Sequence, residues 1–338
     1  MRARTMEGLE LIRESRPYID CLYSILTSTG KFKGPKYLLS GMTGFAFIFV
    51  AHKNLIPAGT EMYDLRATAW NGLDLLGYYS EIFDGLKTSL TFPLYQKKAI
   101  KRVKESIDEG MAVIVWAAGI TDFAVIFGYD EEDEVFFYKD RYHREEQVLL
   151  YGNLGKAEAS YWMCHIIGER IEKDVRDIYL DSLEFAIDWW ETPYKNEVTM
   201  RRELASGRKA YEYLIDALVK DDFHEYGAGR TIHYNIVSRE EAYRYLSDVK
   251  EELPEVYPAY CKYKELHEIY HQMKGLIPPL YAPCQKFRID RVNQLPRLIE
   301  YCIEAAQVEE EAVGELKNIL QESLNNRYID LFDVKKFN

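Results

Sequence analysis

One cysteine stands where a helix should begin. Residues 20 to 30 read Asp-Cys-Leu-Tyr-Ser-Ile-Leu-Thr-Ser-Thr-Gly, which predicts a short helix capped by Asp20 and ended by Gly30. Cys21 then falls in the first turn. There the partial positive charge of the helix N-terminus lowers a thiol pKa and favours the nucleophilic thiolate. By position alone, the commoner role of such a cysteine is a small buried hydrophobe.

A second constellation lies far along the chain. His267-Glu268-Ile269-Tyr270-His271 matches H-E-x-x-H, which puts two imidazoles on one helix face with a glutamate beside a metal-bound water. A zinc hydrolase on this pattern would use His267 and His271 as ligands and Glu268 as general base. Glu300 is available as a remote carboxylate ligand. The helix phase puts Val256, Tyr260, Tyr263, Tyr270 and Met273 on the apolar face, with both histidines on or beside it. That suits a buried metal site and a structural Tyr/His layer equally. Against zinc stand the charged Glu265 in the flank and the lack of a third ligand at metzincin spacing.

These residues need elements to position them. Residues 95 to 109 predict an amphipathic helix ending at Gly110. Strands are expected at Ala112 to Trp116, Phe123 to Gly128 and Glu134 to Tyr138, with a charged turn at residues 130 to 133. After about residue 172 the character changes. Apolar residues recur at three- and four-residue spacing over 174 to 191, 197 to 220, 238 to 274 and 292 to 326, with a bend at Pro254. Pro278, Pro279 and Pro283 mark a loop, and Gly227-Ala228-Gly229 reads as another. Trp189-Trp190 reads as an anchor between the two parts. The expected fold class is therefore α+β. A first domain, residues 1–172, holds an antiparallel sheet, and residues 173–338 form an all-α helical bundle.

The hairpin adds a family likeness. Gly110 to Asp130 reads Gly-Met-Ala-Val-Ile-Val-Trp-Ala-Ala-Gly-Ile-Thr-Asp-Phe-Ala-Val-Ile-Phe-Gly-Tyr-Asp, followed by a third strand running to Asp140. With Cys21, the Leu39-Ser40-Gly41-Met42-Thr43-Gly44-Phe45 stretch and Gly128-Tyr129-Asp130, it resembles the papain-like cysteine hydrolases, in the bacteriocin-leader peptidase-like branch. The nearest likeness is to the butirosin biosynthesis protein H family. Gly207-Arg208-Lys209-Ala210-Tyr211 and Arg239-Glu240-Glu241-Ala242 resemble helix starts of its helical partner domain. The resemblance implies a papain-like first domain in bacterial secondary metabolism. It also implies acyl transfer from a carrier-protein thioester to an amine, or amide hydrolysis of a small acyl or peptidyl substrate, with Cys21 as nucleophile.

Asp122 departs from that pattern, because the family carries its general-base histidine there. A thiol nucleophile needs a group that takes its proton and returns one to the leaving group. An ordinary carboxylate is a poor base for a thiol of pKa about 8.5. A turn centred between Glu131 and Glu132 sets residue 122 opposite about 141, so Asp122 and Asp140 are expected as near neighbours across the strands. The catalytic set is then Cys21, Asp122 and Asp140. Cys21 is expected to be partly exposed and within about 5 Å of Asp122. His143 reads as a surface-loop histidine. A non-catalytic relative that binds a small molecule, peptide or carrier protein fits nearly as well.

The bulk properties narrow the classes further. The 338 residues carry a net charge of −12, which lacks the basic footprint for nucleic acid or an anionic membrane surface. No run is long and apolar enough to span a bilayer, and no export signal is evident, so the expected compartment is the cytoplasm. Cysteines at 21, 164, 261, 284 and 302 are odd in number with none at CxxC spacing, which disfavours disulfides and thiolate zinc. No cofactor is expected outside the zinc alternative. The 27 tyrosines suit half-buried helix faces, and a homodimer face is one use for them.

Overall fold

The computed structural model describes residues 3–14, 16–60, 64–119, 122–194, 202–278 and 287–331. The chain divides into two compact units. Residues 1–39 with 66–173 form the first, and residues 40–65 with 174–338 form the second. The segment 40–65 thus folds with the helical part, whereas the sequence reading places it in the first domain.

The first unit is a helix-flanked antiparallel sheet. In chain order its elements are β1 (Ala3–Thr5), α1 (Pro17–Ser28), α2 (Lys36–Met42, which runs on into the second unit), α3 (Leu65–Leu75), β3 (Tyr78–Leu86), α4 (Phe92–Asp108), β4 (Val113–Trp116), β5 (Phe123–Asp130), β6 (Val135–Asp140), β7 (Gln147–Leu150) and β8 (Tyr161–Arg170). The sheet order is β3-β8-β4-β5-β6-β7, with β1 paired to β5. All the pairings are antiparallel. The expected hairpin and third strand are present, and α4 begins three residues before the predicted helix. β1, β3, β7 and β8 were not expected. The run Trp162-Met163-Cys164-His165-Ile166-Ile167 in β8 is buried throughout, and a strand buried on both faces loses the alternation that marks it in sequence.

Alternation shows instead in which face each residue takes. Ala99, Val103 and Ile107 of α4 form a core with Val113, Val115, Ala124, Ile126, Cys164 and Ile166. Their neighbours Phe123 and His165 point to the opposite face. There Tyr18 of α1 meets Phe123 edge-on at 5.4 Å and stacks on His165 at 6.0 Å between ring centroids.

The second unit holds β2 (Val50–His52) paired with β9 (Leu204–Ser206), then α5 (Val175–Glu191), α6 (Gly207–Lys220), α7 (Glu225–Glu252), α8 (Tyr257–Lys274) and α9 (Leu295–Leu331). Pro254 opens a short 3-10 turn, so the predicted third helix is two helices. The loop expected at Gly227-Ala228-Gly229 lies inside α7. Its glycines serve close approach: a Cβ on Gly227 would stand 1.8 Å from the Leu55 carbonyl oxygen, and one on Gly229 would stand 1.9 Å from the Phe287 ring. Pro279, Pro283 and residues 197–201 lie outside the described residues.

A buried polar network explains why residues 40–65 belong here. Arg239 of α7 pairs with Glu309 of α9 at 2.6 Å, and both side chains are sealed from solvent. Glu309 also accepts from the Tyr211 hydroxyl at 2.6 Å. Arg239 donates to the Ile48 carbonyl at 3.3 Å, and Trp189 Nε1 donates to the Phe49 carbonyl at 3.1 Å. Ser40 donates to Glu241 at 2.6 Å. Trp189 therefore anchors the 40–65 segment within this unit. A Cβ on Gly41 would stand 2.0 Å from the Tyr245 ring, so only glycine fits there.

Candidate functional site

The helix that carries Cys21 starts earlier than predicted. Its first residue is Pro17, whose fixed φ and missing N–H suit a helix start, and Arg16 stands at the N-cap position. Asp20 does not cap. It accepts from the Glu14 backbone N–H at 3.0 Å and pairs with Lys36 at 3.3 Å. Cys21 is consequently in the second turn, where the influence of the helix terminus has faded.

The thiol is also not partly exposed. Cys21 is 1% exposed. Burial pushes its pKa well above the ordinary thiol range, and Asp20, Asp122 and Asp140 push it further, with Arg141 acting in the opposite sense. The charges of Asp122 and Asp140 thus hold the proton on the Cys21 sulfur rather than drawing it off.

Asp122 is a satisfied acceptor. Its Oδ1 accepts from the Phe123 backbone N–H at 2.7 Å, and its Oδ2 accepts from the Tyr142 hydroxyl at 3.0 Å. The observed register differs from the expected one by one residue. The turn after Asp130 and a bulge between Ile126 and Gly128 place Asp140 opposite Ala124. The ladder ends at that pair, so among the described residues no strand partner stands opposite Asp122.

Asp140 has acquired a different partner. It is fully buried, and its Oδ1 accepts from the backbone N–H of Tyr142 and of His143, each at 2.8 Å. This side-chain turn folds the chain back on itself. His143 Nδ1 then lies 3.0 Å from Oδ1 and 2.8 Å from Oδ2 of the same carboxylate. Arg13 donates to the Asp140 carbonyl at 3.1 Å and also to the His143 carbonyl. The His143 ring remains about half exposed. The three-residue spacing from Asp140 to His143 is visible in the sequence, but the turn that brings the ring back to the carboxylate is not.

No known protein family and no curated protein matches this chain.

The zinc constellation does not assemble. Among the described residues no three His, Cys, Asp or Glu side chains are grouped to hold a metal ion, so Glu300 does not complete a site with His267 and His271. His267 instead stacks on Tyr243 at 5.3 Å with the rings 11° apart, and Tyr243 stacks on Tyr260 at 5.5 Å. Burial lowers the His267 pKa. This is the Tyr/His layer that the helix phase left open.

Of the other thiols, Cys164 and Cys302 are buried and Cys261 is exposed, while Cys284 lies outside the described residues. Burial pushes Cys302 up to about 12. Among the described residues no helix is long and apolar enough to cross a membrane.

Proposed function

We propose that this chain is a diverged papain-like protein with a helical partner domain. In this reading it binds a small molecule, peptide or carrier protein without using Cys21 as a nucleophile. The carrying observation is the state of that thiol: sealed, and held protonated by burial and by three neighbouring carboxylates. Thioester formation needs thiolate character or a base in contact with the thiol. Asp122, at the position of the family's histidine, is already an acceptor for Phe123 and Tyr142.

Incubation of the full chain with acetyl-pantetheine, followed by intact-mass and peptide analysis, tests this. Recovery of Cys21 without an acetyl adduct is expected, and a stoichiometric acetyl-thioester on Cys21 would overturn the reading.

A second reading, covalent acyl transfer, is favoured by the Asp140–His143 pair, which keeps an oriented imidazole on the carboxylate that ends β6. Under it, Asp122→His would raise thioester hydrolysis by restoring an imidazole at the family's position. Under the first reading it leaves hydrolysis at the buffer rate.

A further inference from the structure

A buried polar cluster on the sheet face that meets α1 is used by neither reading. β3 and β8 pair with Ile82 opposite His165 and Ser80 opposite Ile167. Ser80 and His165 therefore share one face as diagonal neighbours, with backbones about 7–8 Å apart. His165 is 0% exposed and Ser80 is 7% exposed. Tyr18 of α1 places its hydroxyl 3.0 Å from His165 Nδ1, and that hydroxyl also lies 3.4 Å from the Ala69 carbonyl of α3. His165 Nε2 and Ser80 Oγ are both sealed from solvent and have no hydrogen-bond partner among the described residues.

Two orphaned polar atoms so placed ask for a common partner. Nearly all buried polar groups in folded proteins are hydrogen-bonded, to protein or to ordered water. Burial pushes the His165 pKa down to about 3, so the ring is neutral, with one nitrogen donating and the other accepting. The free imidazole nitrogen offers one donor or acceptor, the hydroxyl offers one donor and two acceptor lone pairs, and neither carries charge. A cation or an anion would be left uncompensated between them.

The geometry points to a single internal water bound between His165 Nε2 and Ser80 Oγ, completing a chain from Tyr18 through His165 to β3. Such a water makes one hydrogen bond of about 2.8–3.0 Å to each of the two atoms. The chain of contacts ties α1, three residues before Cys21, to the edge strand β3 and its neighbour β8. This inference is independent of whether Cys21 is catalytic.

An atomic-resolution crystal structure of the full chain, with Ser80→Val as the paired variant, tests the site. In the wild-type protein, one ordered water is expected within about 3.2 Å of both atoms. In Ser80→Val, whose added methyl group occupies the gap, that water is expected to be gone while the Tyr18–His165 bond persists. A dry gap in the wild type, a direct Ser80–His165 hydrogen bond, or a water that binds only one of the two atoms would each overturn the inference. If Ser80→Val does not fold, Ser80→Ala serves, with a water shifted off the former Oγ position as the expected result and an unmoved one as the contrary result.

Discussion

At the scale of single residues, what separates Cys21 from a working nucleophile is where its helix begins. Moving the N-cap four residues, from Asp20 to Arg16, shifts the thiol from the first turn, where the helix terminus acts on it, to the second, where burial and carboxylates do. Exposure then ranks the thiols. Brief treatment of the native chain with iodoacetamide at neutral pH should label Cys261 well before Cys21, Cys164 or Cys302, read by peptide mass spectrometry. Asp122 has become a structural acceptor. Asp122→Ala strips partners from the Phe123 N–H and the Tyr142 hydroxyl, and should cost about 1–3 kcal/mol in denaturant unfolding. A loss below a few tenths would show that neither bond holds the hairpin end. His143 was legible as a residue and illegible as a partner, because the Asp140 turn that folds it back depends on where β6 stops.

At the scale of elements, the second unit is organised by a buried ion pair rather than by apolar periodicity alone. Burial on its own would lower the Arg239 pKa, but Glu309 outweighs it and keeps the guanidinium charged. Glu309→Leu leaves that charge uncompensated and should cost about 3–5 kcal/mol in urea unfolding. Adding Arg239→Met should recover part of the loss, because the pair is then replaced by apolar groups. Equal, additive losses would show that the two residues do not act on each other. Helix periodicity found α5, α8 and α9 but could not see that Gly227 and Gly229 are packing glycines inside α7. Their reason is a backbone and a ring that come from distant sequence. The Leu39 to Phe45 stretch illustrates the same limit. It carries part of the family likeness, and its Gly41 is needed because Tyr245 packs directly on it.

At the scale of the whole molecule, the α+β class, the antiparallel hairpin and the helical second part were readable from periodicity and turn signals. The sheet's other strands and the discontinuous assignment of residues 40–65 were not, since fully buried strands and inter-element ion pairs leave no local pattern. Stability against acid follows from the same burial. His165 is pushed down to about 3 in the folded state, so between the ordinary histidine range near 6.5 and pH 3 the unfolded chain binds the extra proton. Stability from this residue is intact above about pH 6.5 and is lost as the pH falls below it, by up to about 1.4 kcal/mol per pH unit. His165→Gln should flatten that part of the pH profile in urea melts, and an unchanged slope would show that His165 titrates normally. The protonation state of Cys21 is open to direct measurement. In the full chain, the rate of Cys21 alkylation followed against pH by peptide mass spectrometry reports its thiolate fraction. Little labelling at neutrality, with a rate still climbing through the ordinary thiol range, is what a sealed thiol beside three carboxylates predicts. A plateau reached below neutrality would mean an activated nucleophile and would contradict the account.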